Sequence, residues 1–517
     1  MIERLKSKID YTILKQSFIY TYLWGMITHV FIFVNLTISH DSLDEFYSSE
    51  QWAKANLGRF FYSIYITFTR GRFVIPWLIG ILALCWIALS VYLILRMFRI
   101  EKKSLIMLIT GICVTNPTVY ALAATYIHDL DADMFALLLS VGAAFLWSEA
   151  IKTEKRKMQA ALLGAGAILL SVSMGIYQSY MSVTITLIIF VSIQRLFERE
   201  NPVEILLQGI WGIGMLAVSA VLYFIEAKIF SYISGIDILG RDSYNGLGNM
   251  SEMFSGNVLE KISGVYESFF TALENVVLTS YPAKVFWIVP AVLGICTVGM
   301  LILGIKKIDL KSKILLVLLI IIMPFGMNIS YFLSNGEIHV LMQYAVWFVW
   351  LLAAIMIPFL EKEQSIHRIV RSGVIYTVMG CVLLIAAENV QTANTVYVKK
   401  ELEYQSTLAY MTRVADEMEE QEGYVPGVTP VLFVGKNVGE YRDGFERYNL
   451  ITGASIAGPI TYYDTYTAYF EYVLGRPIVS IENDDLKYGS EVYTMPAYPQ
   501  PGSIRMVEGT MVVKMRE

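Results

Sequence analysis

Apolar residues in this chain come in long, nearly uninterrupted runs, not in the short alternations of a soluble core. Runs of roughly 17 to 25 residues suffice for a helix to cross a bilayer. They can be laid at 17–39, 73–97, 104–126, 133–150, 159–176, 178–194, 205–231, 285–305, 314–333, 339–360 and 372–389. The pattern therefore predicts an all-α polytopic membrane protein of about eleven transmembrane helices. One segment between the runs repeats differently. In "LGRFFYSIYITF", Leu57, Phe60, Phe61, Ile64, Tyr65 and Phe68 recur at three and four, with Arg59, Tyr62, Ser63 and Arg70 on the other side. That spacing predicts an amphipathic helix along the membrane interface. A second such helix is predicted within 232–284, where Val258, Ile262, Val265, Phe269 and Leu273 share a face and Glu260, Glu267 and Glu274 read as a solvated one.

Past residue 389 the long runs stop. A charged helical stretch, "YVKKELEYQSTLAYMTRVADEMEEQ", leads to the strand candidates "PVLFVG" and "RPIVSI" and to a hairpin candidate, "SIRMVEGTMVVKM". The expected organisation is a membrane domain over 1–389, with long loops at 40–72 and 232–284, followed by a small α/β domain over 390–517.

Lys and Arg give the expected orientation. They gather at Arg4 to Lys15, Arg96 to Lys103, Lys152 to Lys157, Arg195 and Arg199, Lys306 to Lys313, and Lys362 to Arg371, which are alternate turns of the chain. The positive-inside rule puts these turns and the N-terminus in the cytoplasm, and an odd span count puts the tail outside. Composition agrees with the class: 56% of the 517 residues are hydrophobic, 16% are charged and the mean hydropathy is +0.53. The first run has no small-residue cleavage site, so a retained helix is expected there instead of a signal peptide. Cys85, Cys113, Cys296 and Cys381 all fall in predicted spans and imply no disulfide framework, and no basic stripe suggests nucleic acid.

Candidate chemistry sits at the outer turns. "SHDSLDEFY" (39–47) places Asp41 and Asp44 three apart beside His40, just beyond the first span, where lowered dielectric raises carboxylate basicity. The next outer turn, "YIHDLDADMF" (126–135), carries Asp129, Asp131 and Asp133. The glycine and closing glutamate of a calcium loop are missing, and capping of the following helix by Asp131 or Asp133 is the simpler role. Arg59 and Arg72 offer planar guanidinium groups to a phosphate, although Arg70 and Arg72 would also suit snorkelling to lipid headgroups. Tyr177 and Gln178, in "MGIYQSY", face the same side and suit sugar or interfacial anchoring. The cytoplasmic loops are short and hold no nucleotide motif, so an activated substrate is expected to be lipid-linked.

Taken together, "HDS" followed by "GRF", then "YIHDLDADMFALLL", "SMGIYQSYMSV" and the closing "MPAYPQPGSIRMVEGTMVVKM" resemble the bacterial Gtr-type glucosyltransferases that modify O-antigen and related surface glycans, within the GT-C superfamily. The resemblance implies a GT-C-like fold in the bacterial inner membrane with its active site outside. It also implies transfer of a sugar, most often glucose, from polyprenyl phosphate to a polysaccharide, with inversion at the anomeric carbon. By that analogy Asp41, with Asp44 as the alternative, is the catalytic base; by residue type and position Arg59 and Arg72 are expected to hold donor phosphate, and His40, Asp129, Asp131, Tyr177 and Gln178 to bind sugar or acceptor. Neither a cofactor nor a metal is assigned. The expected partners are the lipid-linked donor, the polysaccharide, the bilayer, and an upstream donor synthase and flippase. A flippase for lipid-linked sugars, or a glycan ligase or polymerase, are the alternative functions; the acids at span ends, away from the midplane, argue against a transporter.

Overall fold

The structure is a computed structural model that describes residues 10–39, 43, 51–71, 73–236, 238, 257–279, 286–334, 336, 338–435, 445–451, 454, 460 and 463–515. Among the described residues, eleven helices are long and apolar enough to cross a membrane, and they correspond one for one to the predicted runs. The first, α1 (Tyr11–Val34), begins where the Asp10 carboxylate accepts from the amides of Thr12 and Ile13 at 3.0 and 3.1 Å, satisfying donors that a helix start leaves open. The amphipathic helix α2 (Phe60–Thr69) follows, with Tyr62, Ser63 and Ile66 buried and Ile64 and Phe68 exposed. Phe60 and Tyr65 are buried as well, so protein covers residues of both predicted sides, and the exposed apolar residues Ile64 and Phe68 are left to the surroundings.

After α3 (Pro76–Met97), the central span Lys103–Thr125 is almost wholly buried and is broken into α4 (Lys103–Val114) and α5 (Pro117–Thr125). Pro117 has no amide hydrogen and biases Asn116 away from helical backbone, so the ladder stops here. The freed groups are satisfied internally: Asn116 caps Thr118 N at 2.9 Å, donates to Tyr344 O at 3.2 Å, and Thr118 Oγ1 donates to Val340 O at 2.6 Å. Such a break is tolerable at membrane depth only when protein fills it.

The remaining helices are α6 (Leu130–Ala150), α7 (Arg156–Ile176), α8 (Met181–Phe197), α9 (Pro202–Ser234), α10 (Val258–Thr279), α11 (Ile288–Ile305), α12 (Leu310–Met327), α13 (Ile329–Leu333), α14 (Phe348–Ile355), α15 (Ile357–Lys362) and α16 (Arg368–Glu419). In α10, Val265, Phe269, Ala272 and Val276 are buried while Glu260, Glu267 and Glu274 are exposed, the solvated face expected. Ion pairs join the basic turns at one end of the bundle: Lys102 to Glu361 at 2.7 Å, Arg99 to Glu198 at 3.6 Å, and Lys307 to Glu363.

Helix α16 is 52 residues long and runs unbroken through residue 389, where the sequence changes from apolar to charged. At 1.5 Å per residue it spans about 78 Å. Above its apolar part it is tied to α1 and the segment that follows: Tyr397 Oη lies 2.7 Å from His29 Nδ1, and Thr37 Oγ1 donates to Glu401 at 2.7 Å. Its last turns, at Met411, Val414, Ala415 and Met418, pack on a four-stranded sheet of order β2-β1-β4-β3 built from β1 (Pro430–Val434), β2 (Val479–Ser480), β3 (Ile504–Val507) and β4 (Thr510–Lys514). Strand β1 is parallel to both neighbours, and β3 and β4 form the predicted hairpin around Glu508 and Gly509, both at positive φ, the geometry of a two-residue primed turn. The two regions share their cores. Ile38 and Leu43 pack with the sheet, while Tyr448, Ile451 and Ala454 pack with the membrane helices.

Candidate active site

Three chain segments meet at the end of the bundle opposite the basic turns: the stretch Gln51–Thr69, the turn 126–133, and the turn 176–180 between α7 and α8. The middle one is decided by helix geometry. Asp129 ends a single 3₁₀ turn and Asp133 lies one α-helical turn on, so these two share a face, and Asp131 looks away from them.

The away-facing acid is sealed. Arg70 Nε donates to both Asp131 oxygens, at 3.2 and 3.3 Å, and neither side chain is more than 1% exposed. The same guanidinium bonds the carbonyl of His128 and, at 2.8 Å, that of Phe73. The Tyr65 hydroxyl, which accepts from Trp86 Nε1 at 2.8 Å, stands beside Asp131 as well. Arg70 therefore does not snorkel: the carboxylate and carbonyls it meets inside outbid lipid phosphates, because a buried acid must be paired. Nor do the acids cap α6. Asp129 occupies the cap position without a side-chain cap bond, and Asp131 and Asp133 lie in the first turn, where their charge favours the helix dipole.

Asp129 faces the other way and is paired with Lys54, with His128 Nε2 at 3.5 Å. Lys54 also lies over the Tyr62 ring, 4.5 Å from its centroid, and Tyr62 Oη donates to the His128 carbonyl at 3.2 Å. Beside this pair the Arg59 guanidinium stacks on Tyr177, 4.2 Å from the ring centroid. Burial works against the Arg59 charge, but Tyr177, Asp129 and Asp133 hold its pKa above the ordinary arginine value. Burial also pushes the Tyr177 phenol up to about 12 despite the pull of Arg59. Arg59 Nε is buried and hydrogen bonded to none of the described residues.

Gln178 has a different task. Its amide nitrogen donates to Leu57 O at 3.0 Å and to Tyr223 Oη at 2.8 Å, and Tyr223 Oη donates to Gly58 O at 3.1 Å. This clamp ties α9 and the 176–180 turn to the backbone just before Arg59, fixing where that guanidinium stands. The structure thus brings Arg59, Asp129, Tyr177 and Gln178 together and sets Asp131 apart with Arg70. His40, Asp41, Asp44 and Arg72 lie outside the described residues.

Sequence reasoning missed Lys54, Tyr62, Tyr180 and Tyr223. Lys54 was legible only as one loop cation, and Tyr223 lies in the middle of an apolar run. Tyr180 follows Tyr177 by three residues, a spacing that could have singled it out; its ring centroid is 6.0 Å from that of Tyr177.

Eleven apolar spans with a cluster of buried acids, cations and tyrosines at one end of them define a polytopic membrane protein with a polar site between its helices. A family profile described as Glucosyl transferase GtrII matches residues 30–354, more than half of the chain, and the chain belongs to that family; it is a membrane glycosyltransferase. The match contains the loop that follows the first span and both turns of the site and ends before α16, so the tail lies outside it. No curated protein matches the chain.

Proposed function

We propose that the protein transfers a glucosyl group from a polyprenyl-phosphate donor to a surface polysaccharide on the extracytoplasmic face of a bacterial inner membrane, within a GT-C-like fold. The observation that carries this reading is Arg59: a cation stacked on Tyr177 whose buried Nε is hydrogen bonded by none of the described residues, at the end of the bundle away from the basic turns. A lipid phosphate supplies oxygen acceptors that suit such a guanidinium, and its tail remains in the bilayer. The basic turns, read as cytoplasmic by the positive-inside rule, leave the site facing outward.

In this reading a carboxylate of the first outer loop, Asp41 or alternatively Asp44, accepts the proton of the acceptor hydroxyl. The hydroxyl oxygen bonds to the anomeric carbon as the bond from that carbon to the phosphate oxygen breaks, with inversion. Polyprenyl phosphate leaves with its charge held by Arg59, so no proton need be delivered to it. Ser39, two residues before Asp41 in sequence, bonds the Thr125 carbonyl just ahead of the acid turn, which supports a base close to this pocket. Family membership favours transferase over flippase.

The test is sugar transfer in membranes supplied with polyprenyl-phosphate glucose, comparing parent, Asp41→Asn and Asp44→Asn at matched expression. Loss confined to one variant assigns the base; full turnover in both places it elsewhere; no transfer by the parent removes the donor assignment.

A further inference from the structure

Of the three acids of the 126–133 turn, two are spoken for. Asp131 is held by Arg70 and Asp129 by Lys54, whereas Asp133, only 5% exposed, takes no hydrogen bond or ion pair from the described residues. It lies within electrostatic reach of Arg59 and Tyr177, yet not at ion-pair distance from that arginine. Tyr180 lies beside Tyr177. It is 1% exposed, its hydroxyl is buried without a hydrogen-bond partner among the described residues, and it too lies within reach of Asp133. Tyr180 is fixed by ring contacts to Tyr177 and Tyr344, with centroids 6.0 and 5.9 Å apart.

Buried polar groups are ordinarily paired. Here the Asp133 carboxyl, the Tyr180 phenol and the Arg59 Nε lie buried in one neighbourhood, and none of the described residues hydrogen bonds any of them. The arrangement fits a guest that brings hydroxyls to Asp133 and Tyr180 and an anion to Arg59, the chemistry of a hexose attached to phosphate. We propose that Asp133 and Tyr180 form the subsite for hydroxyls of the transferred glucosyl group, Asp133 as acceptor and Tyr180 as donor, with Arg59 on the adjoining phosphate. This deepens, and rests on, the polyprenyl-phosphate reading above. Asp133 is then a specificity determinant that touches donor sugar, distinct from the base.

Leaving a buried hydrogen-bonding group without its partner costs roughly tenfold or more in affinity. The experiment uses the full chain in lipid nanodiscs and measures binding of a short-chain polyprenyl-phosphate glucose against the same polyprenyl phosphate without sugar, for the parent, Asp133→Asn and Tyr180→Phe. The parent is expected to prefer the glucosylated lipid. Each variant is expected to lose about tenfold or more of that preference while keeping its affinity for the bare lipid. An unchanged preference in both variants overturns the subsite, as does an equal loss of affinity for both lipids, which marks a structural role. A parent that transfers glucose yet shows no preference overturns the subsite and leaves the donor reading standing; a parent that binds neither lipid overturns both.

Discussion

Arg70 and Asp131 are 61 residues apart in sequence and form a two-point ion pair that is sealed from solvent on both sides. The pair pins the end of α2 to the start of α6, and so holds the segment that carries Lys54 and Arg59 against the acid turn. Removing one partner strands a buried charge. Arg70→Met is expected to cost about 3–5 kcal/mol, and the double variant Arg70→Met, Asp131→Leu substantially less, because apolar replacement of both partners removes the desolvation penalty as well. Thermal unfolding of the three proteins in one detergent checks this. A double variant as unstable as the single one would show that the pair's other bonds, to the His128 and Phe73 carbonyls, matter more than its charges.

Arg59 is expected to tolerate no substitution without loss of donor affinity. Arg59→Gln removes charge and fork together and should raise KM for polyprenyl-phosphate glucose about tenfold or more. Arg59→Lys keeps charge but loses the planar stack on Tyr177 and should fall between. Initial rates across donor concentrations separate the cases; equal KM for parent and Gln variant would remove Arg59 from phosphate recognition.

Alkaline pH reports on the same stack. The Tyr177 phenol, raised to about 12 by burial against an ordinary 10.0, favours the folded state below pH 10. That contribution is lost as pH rises from 10 to about 12, where the unfolded phenol ionises and the folded one does not. Tyr177→Phe should therefore show a smaller fall in Tm over that window than the parent, with parallel curves below it. Curves parallel throughout would mean that Tyr177 ionises in the folded protein as it does in the unfolded chain.

Much of this was legible in the sequence because a bilayer leaves few choices. Length and apolarity located all eleven spans, and the "MVEGTMV" stretch announced its hairpin through Glu508 and Gly509. The site was legible by residue type but not by partner. Nothing in the spacing of Asp129, Asp131 and Asp133 says that alternate acids face opposite ways until the helix start is known to fall between Asp129 and Leu130. Arg70 looked like a lipid-facing cation because its partner is 61 residues distant. Gln178 reads in sequence as a sugar or interfacial-anchoring residue because its partners, Leu57 and Tyr223, come from two other segments.

Close packing behind Arg59 gives a last expectation. A Cβ built on Gly175 in α7 would stand 2.4 Å from a ring carbon of Phe61 and 3.1 Å from Phe60, far inside contact distance. Both rings belong to the first turn of α2, directly after Arg59, and Phe60 is itself stacked on Tyr223 with centroids 5.6 Å apart. The rings must shift to admit the methyl group, and both adjoin the backbone that the Gln178 clamp holds, so Gly175→Ala is expected to destabilise by about 1–3 kcal/mol and to lower transfer beyond what the stability loss explains. Gly164, in the same helix with no neighbour within 4 Å of its added carbon, is the control. There alanine only improves helix propensity and should stabilise by up to about 1 kcal/mol. Thermal unfolding and transfer measured on both variants decide it: a Gly175→Ala protein as stable and active as Gly164→Ala would mean that α2 can shift without disturbing Arg59, and the positional role given to this contact would fall.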